Sequence, residues 1–392
     1  MFSRRSGTAD TRENALSSAL RAKRAGGGAL LDLTVSNPTT AGIPYAEETI
    51  VASLADRRSL RYEPASLGLP EARAAVAKEL GVPTERVVLT ASTSEAYSFL
   101  FKLLCDSGDE VLVPRPSYPL FDQLAELDDV RLVPYRLAYD GAWHVDLPSL
   151  ESAVTSRTRA ILVVSPNNPT GTYLRRAELE RMESLGLPIL CDEVFATYTL
   201  DLPAREDVVR CAAREARSSL VFSLGGLSKL AGLPQMKAAW IVLGGEAPKV
   251  RDAMARLEWI ADAYLSVGAP VQHALPRLLE ARGATEQAIA QRVRANLVRV
   301  QRQTAGTAVT ALTVEGGWYA VLRLPRTETE EAYCLSLLEH EGVLVQPGYF
   351  FDFPEEAYVV VSLLTPEADL EEGIARIVRR VSREPHPPAP SP

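Results

Sequence analysis

Apolar residues along this chain follow two rhythms. From residue 87 to residue 243, short runs rich in Val, Leu, Ile and Ala alternate with stretches of helical period. Positions 87–89, 110–113, 130–135, 160–164, 189–191, 220–223 and 238–243 read as strands. The last four are apolar without alternation, as expected of strands covered on both faces. Positions 94–105 and 119–127 read as helices between them. Strands alternating with helices predict an α/β fold, with a mostly parallel sheet flanked by helices.

The flanking regions differ. Positions 11–25 carry a helical pattern that Gly26, Gly27 and Gly28 end, and 30–35 is a short apolar strand stopped by Ser36, Asn37 and Pro38. Helices are predicted at 47–55 and at 69–80, the latter with Pro70 in its first turn. After Lys249 a helical region runs to about 304, with a break at Gly268, Ala269 and Pro270. Beyond it, strand-like stretches at 314–324, 343–346 and 358–363 accompany helices at 328–341 and 367–381. That is the pattern of a smaller α+β domain. The expected division is an N-terminal segment, 1–45, that joins the small domain, a large domain over 46–265, a small domain over 266–384, and a disordered Pro-rich tail over 385–392.

A length of 392 residues accommodates one large domain and a smaller one. The net charge of −8 argues against nucleic acid or an anionic membrane as partner. No apolar run approaches the ~20 residues of a membrane helix. The first ten residues lack a hydrophobic signal core, and Asp10 and Glu13 count against an organelle transit peptide despite Arg4 and Arg5, so a cytoplasmic location is expected. Cys105, Cys191, Cys211 and Cys334 show no CxxC spacing and read as reduced thiols; with only four scattered histidines, no metal site is expected.

Candidate chemistry lies where strands end. Lys229 sits in the Gly-rich stretch 223–237 after a buried strand, a setting that presents one amine from a confined place. Such a lysine suits a Schiff base with a carbonyl cofactor, although most lysines are solvated surface charges. Ser92, Thr93 and Ser94 stand between a strand and an apolar helix, where hydroxyls and free N–H groups bind phosphate; plain capping by Ser92 or Ser94 is the alternative. Tyr118 follows the carboxyl end of a strand and is placed to stack on a flat ring, or else is a core aromatic. Asn168 lies in a turn after another buried strand. Asp192 ends an apolar strand and requires a partner, which a protonated ring nitrogen would be; Glu193 reads as a solvated or bridging neighbour.

Together these segments, in this order from about Leu31 to Val381, resemble the class I/II aminotransferases of the fold-type I, pyridoxal-phosphate-dependent superfamily. The resemblance implies a homodimer with active sites at the subunit interface. It implies pyridoxal 5'-phosphate as cofactor, an internal aldimine at Lys229, and Asp192 paired with the pyridine nitrogen. Asn168 would donate to the phenolic oxygen and Tyr118 would stack on the ring. Ser92, Thr93 and Ser94 would hold the phosphate. Ser228 matches the serine before the lysine, and Tyr62 the tyrosine that reaches the neighbouring subunit's phosphate. The implied substrates are an amino acid or related amine and a 2-oxo acid.

The chain departs from the family pattern at several positions. Phe195 stands where a Tyr usually bonds the phenolic oxygen, leaving Asn168 for that role unless Tyr198 swings in. Lys237 replaces an Arg that forks onto the phosphate, and Gly226 replaces a phosphate-binding Ser. Val360 occupies the region of the Arg that clamps the substrate α-carboxylate, and Ser36 that of a nearby Gly. Either another cation serves, with Arg323 as a candidate, or the substrate lacks a free α-carboxylate. Trp318, Tyr319, Tyr349, Phe350 and Phe351 are either an aromatic substrate pocket or ordinary packing. Because the scaffold does not fix which bond at Cα breaks, a β-lyase, cyclase, oxidase or decarboxylase is the rival reading. A cofactor-binding regulator without catalysis is a further one, disfavoured by the lack of a basic helical extension.

Overall fold

The computed structural model describes residues 2, 3, 5, 14–200 and 207–383. In chain order the strands are β1 (Leu31–Asp32), β2 (Val87–Thr90), β3 (Glu110–Arg115), β4 (Arg131–Tyr139), β5 (Trp143–Val145), β6 (Thr158–Val164), β7 (Ile189–Asp192), β8 (Val221–Gly226), β9 (Ala239–Gly244), β10 (Thr310–Ala311), β11 (Tyr319–Arg323), β12 (Val343–Leu344), β13 (Gln346–Pro347) and β14 (Tyr358–Ser362).

Eight of them form one sheet in the order β2-β9-β8-β7-β6-β3-β4-β5. The run from β8 to β4 is parallel, while β9 is antiparallel to both β8 and β2, and β5 is antiparallel to β4. The apolar runs are explained by two cores, one per face. Val87, Leu89, Leu112, Ile161, Val163, Ile189, Cys191 and Val221 belong to one. Val88, Val111, Val113, Leu162, Val164, Leu190 and Phe222 belong to the other. Successive side chains point to opposite faces, so a strand buried on both sides must be apolar at every position. Helices Pro70–Leu80 and Ala269–Ala281 cover the first face, and helices Thr93–Leu104 and Ala247–Asp262 the second.

A second, antiparallel sheet has the order β10-β11-β14-β13, and β1 pairs in parallel with β12. Helices Gly283–Thr304 and Glu367–Ser382 pack on each other beside it. The expected strand at 314–324 forms only from Tyr319 onward. Gly316 lies so close to Tyr173 that an added Cβ would sit 2.7 Å from its ring, and Gly317 has φ +86°. The N–H groups of Gly316 and Gly317 bond to Gly171 and Tyr198 in the large-sheet loops, so this segment crosses between the sheets. Likewise 343–346 divides between β12 and β13, which serve different pairings. The helical region after Lys249 breaks at Gly268 as expected and again at Arg282. The proposed tail at 385–392 lies outside the described residues, among which no helix is long and apolar enough to cross a membrane.

Candidate active site

Five of the singled-out segments meet at one edge of the large sheet. β2, being antiparallel to β9, runs in the same direction as β8, β7, β6 and β3. Ser92, Lys229, Asp192, Asn168 and Tyr118 therefore all stand at or just past carboxyl ends on the same side. Open α/β sheets bind ligands there, since side chains from successive loops converge without interrupting the ladder.

Asp192 is buried, and its Oδ2 accepts a 2.7 Å hydrogen bond from the Tyr97 hydroxyl. Oδ1 accepts from the backbone N–H of Val194 at 3.1 Å. Burial raises the Asp192 pKa; the Tyr97 bond, the Val194 N–H and the Lys229 charge pull it back. Tyr97 comes from the first turns of helix Thr93–Leu104. A tyrosine on the buried side of a helix needs a partner for its hydroxyl, and that requirement is the signal by which the sequence could have revealed it.

Lys229 lies in the short helix Leu227–Leu230 after β8. The residue keeps some exposure, but its amine is enclosed: Nζ is 5.5 Å from the ring centre of Phe195 and 5.1 Å from that of Trp318. Burial lowers its pKa to about 8, against the opposing pull of Asp192. Tyr198 does not swing in to replace the tyrosine missing at Phe195. It is fully buried, and its hydroxyl donates to the Lys229 carbonyl at 2.7 Å. Its ring meets Trp318 edge-on, and Trp318 meets Phe195 the same way. Phe195 and Trp318 thus flank the amine while Tyr198 holds the Lys229 backbone, an arrangement that sequence reading missed because Trp318 arrives from the crossing segment.

Ser92 caps helix Thr93–Leu104, its Oγ accepting from the Glu95 N–H at 3.1 Å. The capping reading of Ser92 thus holds, while Thr93 and Ser94 occupy the first turn, half-buried. Glu95 accepts from the Ala91 N–H and the Ser266 hydroxyl. Across the sheet, Gly226 pairs with Ala239, and Leu227 N–H bonds to the Ala238 carbonyl at 3.0 Å. Lys237, exposed and with φ +51°, is thereby at the same edge as Ser228 and Lys229. A Cβ on Gly226 would lie 3.0 Å from the Ala239 Cβ, so the position where the family pattern has a serine is closely packed here.

Asn168 is buried, and its Oδ1 has no hydrogen-bond partner. Asn167 instead stabilises the turn, accepting from the N–H and hydroxyl of Thr170. Tyr118 is 39% exposed, so it is not a core aromatic. Tyr62 is 82% exposed and stands outside the Lys229 cluster. Glu193 is bridging, not solvated: its carboxylate accepts from the Ala212 N–H and the Ser223 hydroxyl, and burial pushes its pKa up to about 7. Arg323 is exposed, at the last position of β11 opposite Tyr358 in the small sheet. Of the C-terminal aromatics, Trp318, Tyr319 and Phe351 are packed inside, whereas Tyr349 and Phe350 remain open.

Comparison with known proteins agrees with this geometry. The chain is 26% identical over 373 residues to the glutamate-pyruvate aminotransferase AlaA of Haemophilus influenzae, covering 91% of each. It is 28% identical over 375 residues to the alanine aminotransferase of Mycobacterium tuberculosis, covering 90% of this chain and 85% of that one. In fold it is similar to the alanine aminotransferase of Pyrococcus furiosus, with a TM-score of 0.85 at 22% identity over 97% and 99% of the two chains. The aspartate aminotransferase of Thermotoga maritima gives 0.82 at 22% identity over 97% and 100%. The family model for aminotransferase class I and II matches residues 29–377, and the chain belongs to that family of transferases.

Proposed function

We propose that the protein moves an amino group between an amino acid or related amine and a 2-oxo acid, using pyridoxal 5'-phosphate held at the carboxyl edge of the large sheet. The observation that carries this reading is the enclosed Lys229 amine, lowered to about 8 and facing the buried Asp192. The residues present fit the cofactor. Asn168 is buried at this edge, and its Nδ2 is the atom that would donate to a phenolic oxygen. Asp192, oriented by Tyr97, is available to a protonated ring nitrogen. The first turn at Thr93 and Ser94, with Ser92, Ser228 and Lys237, is available to a phosphate, and Tyr118 to the ring face.

When bound, the cofactor supplies a carbonyl carbon for amines and a ring that withdraws electrons from the substrate's reacting carbon. Lys229 does the proton work. With a pKa near 8 it is neutral in about a tenth of molecules at pH 7 and about half at pH 8, so it can accept the proton from that carbon and return it elsewhere. The Tyr198 bond to its carbonyl fixes where the side chain starts, and the Phe195 and Trp318 rings exclude water while favouring the charged form when it arises.

A homodimer belongs to this reading. Tyr62, projecting into solvent beside exposed Leu60, is the residue that would serve a partner subunit's phosphate site. A cytoplasmic location and the division into large and small domains go with it. The test is a half-reaction: purified protein loaded with the cofactor is mixed with amine donors, and the absorbance is followed. Conversion to the aminated form of the cofactor by a donor, reversed by a 2-oxo acid, is expected. Absence of that conversion with every donor, despite bound cofactor, would favour a lyase, oxidase or decarboxylase.

A further inference from the structure

The segment that crosses between the two sheets is stitched down on both sides where it meets the lysine. The N–H groups of Gly316 and Gly317 bond to the Gly171 and Tyr198 carbonyls at 3.0 and 2.9 Å, and the Leu363 N–H bonds to the Trp318 carbonyl at 2.7 Å. One residue before the glycines stands Glu315, which is buried. Its carbonyl accepts from the Leu200 N–H at 2.8 Å. Its carboxylate accepts from the Tyr173 N–H at 3.2 Å and pairs with the Arg175 guanidinium, the two side chains being 8% and 13% exposed. Arg175 is itself fixed, as the cap of helix Arg176–Glu183.

A buried ion pair is a weak source of stability, because both charges lose their water; holding one geometry against others is its best-attested use. The geometry at stake lies three residues on. The Trp318 ring centre is 5.1 Å from the Lys229 amine, and Trp318 is fully buried. No strand or helix carries this residue: it precedes β11 by one position and follows two glycines, of which Gly317 has φ +86°. Backbone of that kind has conformational freedom, which the Glu315–Arg175 pair removes at the end nearer the large sheet.

We propose that Glu315, through its pair with Arg175, is a positioning residue that keeps the Trp318 ring over Lys229 and so keeps water from the amine. Its value to function rests on the amino-transfer reading, in which that amine moves the proton. Losing Glu315 has two effects on Lys229, of opposite sign. Burial lowers the pKa of the amine, and Asp192 is the charge that opposes it. Removing the Glu315 charge, with Arg175 left bare, makes the surroundings more positive and would lower that pKa further. Releasing the ring admits water and would raise it. A rise therefore reports the ring, and a fall reports charge alone.

The test is competitive acetylation of the cofactor-free protein with acetic anhydride over a series of pH values, with the Lys229 peptide quantified by mass spectrometry. Only the neutral amine reacts, so the midpoint reads its ionisation whatever the final extent of labelling. Trp318→Leu and Glu315→Gln should each raise the midpoint by about one unit, leaving about tenfold less neutral amine at pH 7. Trp318→Phe should stay near the wild type. Adding Glu315→Gln to Trp318→Leu should raise the midpoint no further, since both remove the same screen. Where Glu315→Gln fails to fold, Arg175→Lys, which keeps the charge and loses the fork, is read in its place with the same expected rise. A midpoint unmoved or lowered in the folded pair variant, or unmoved in Trp318→Leu, overturns the proposal and leaves amino transfer standing. The amino-transfer reading fails separately, if no donor converts the cofactor-loaded protein.

Discussion

Replacing Lys229 by Met tests the electrostatics of the site without any substrate. Met keeps the length and apolar stem of lysine and removes the charge. In the folded chain burial holds the amine near pKa 8, against an ordinary value of 10.5. That depression of about 2.5 units corresponds to roughly 3 kcal/mol at about 1.4 kcal/mol per unit. The sign follows from proton counting. Between pH 8 and 10.5 the unfolded chain holds a proton at Lys229 that the folded chain has released, so this group's contribution to stability rises with pH across that window. Below pH 8 both states are protonated and the folded chain bears the whole penalty. Cofactor-free Lys229→Met should therefore exceed the wild type by up to about 3 kcal/mol at pH 7, and the gap should close by pH 10.5. Urea unfolding of both proteins at a series of pH values measures it, and taking the difference cancels the many tyrosines and thiols that titrate in the same range. A gap that is absent, or flat from pH 7 to 10.5, would refute an enclosed, destabilised amine.

Other perturbations address the neighbours. Tyr97→Phe leaves the buried Asp192 carboxylate short of a donor, so it should destabilise the fold by about 1–3 kcal/mol in urea and weaken cofactor retention measured by dialysis. Lys237→Arg should tighten cofactor retention by a few-fold on the order expected for a bidentate grip; unchanged or weaker retention would remove Lys237 from the phosphate site. Glu193, pushed up to about 7 from 4.5, keeps its proton in the folded chain where the unfolded chain has lost it. Stability should thus fall by up to about 3 kcal/mol as pH rises from 4.5 to 7, and Glu193→Gln should flatten that slope in thermal unfolding.

The large sheet was legible because its strands obey one rule. Burial on both faces makes 160–164 or 189–191 apolar at every position, and little else produces such short runs between turns. The positions of Asp192, Asn168 and Lys229 follow from the same strands, because Asp192 ends β7 and Asn168 and Lys229 lie just past β6 and β8. The small sheet was harder to read. Its strands are two to five residues long, and the polarity of 314–318 reflects contacts with Gly171 and Tyr198 far away in sequence. The helix Arg176–Glu183 and strand β5 escaped notice, the first because its exposed face is strongly charged and the second because three residues carry no period. Within the site, the partners were invisible where the residues were not. Nothing local to Tyr97 or Tyr198 names Asp192 or the Lys229 carbonyl as the group each hydroxyl meets; those pairings exist only once helix and sheet are packed.

The chain's departures from the family pattern are spread around the lysine: Lys237 and Gly226 at the edge proposed for the phosphate, Phe195 beside the amine, and Val360 in the small sheet. Under the proposed reading Asp192, Asn168 and the helix N-terminus would serve the cofactor, while Phe195 and Trp318 put apolar rings beside the amine. A family scaffold can tolerate that combination, because electron withdrawal depends on the first group and choice of substrate on the second.

The central claim is a covalent bond between the amine at position 229 and the cofactor's carbonyl carbon. Protein incubated with pyridoxal 5'-phosphate, reduced with borohydride, digested and mapped by mass spectrometry should carry the label at Lys229, and Lys229→Met should carry none there or elsewhere in stoichiometric amount. Label distributed over surface lysines, with Lys229 unmodified under saturating cofactor, would contradict the account.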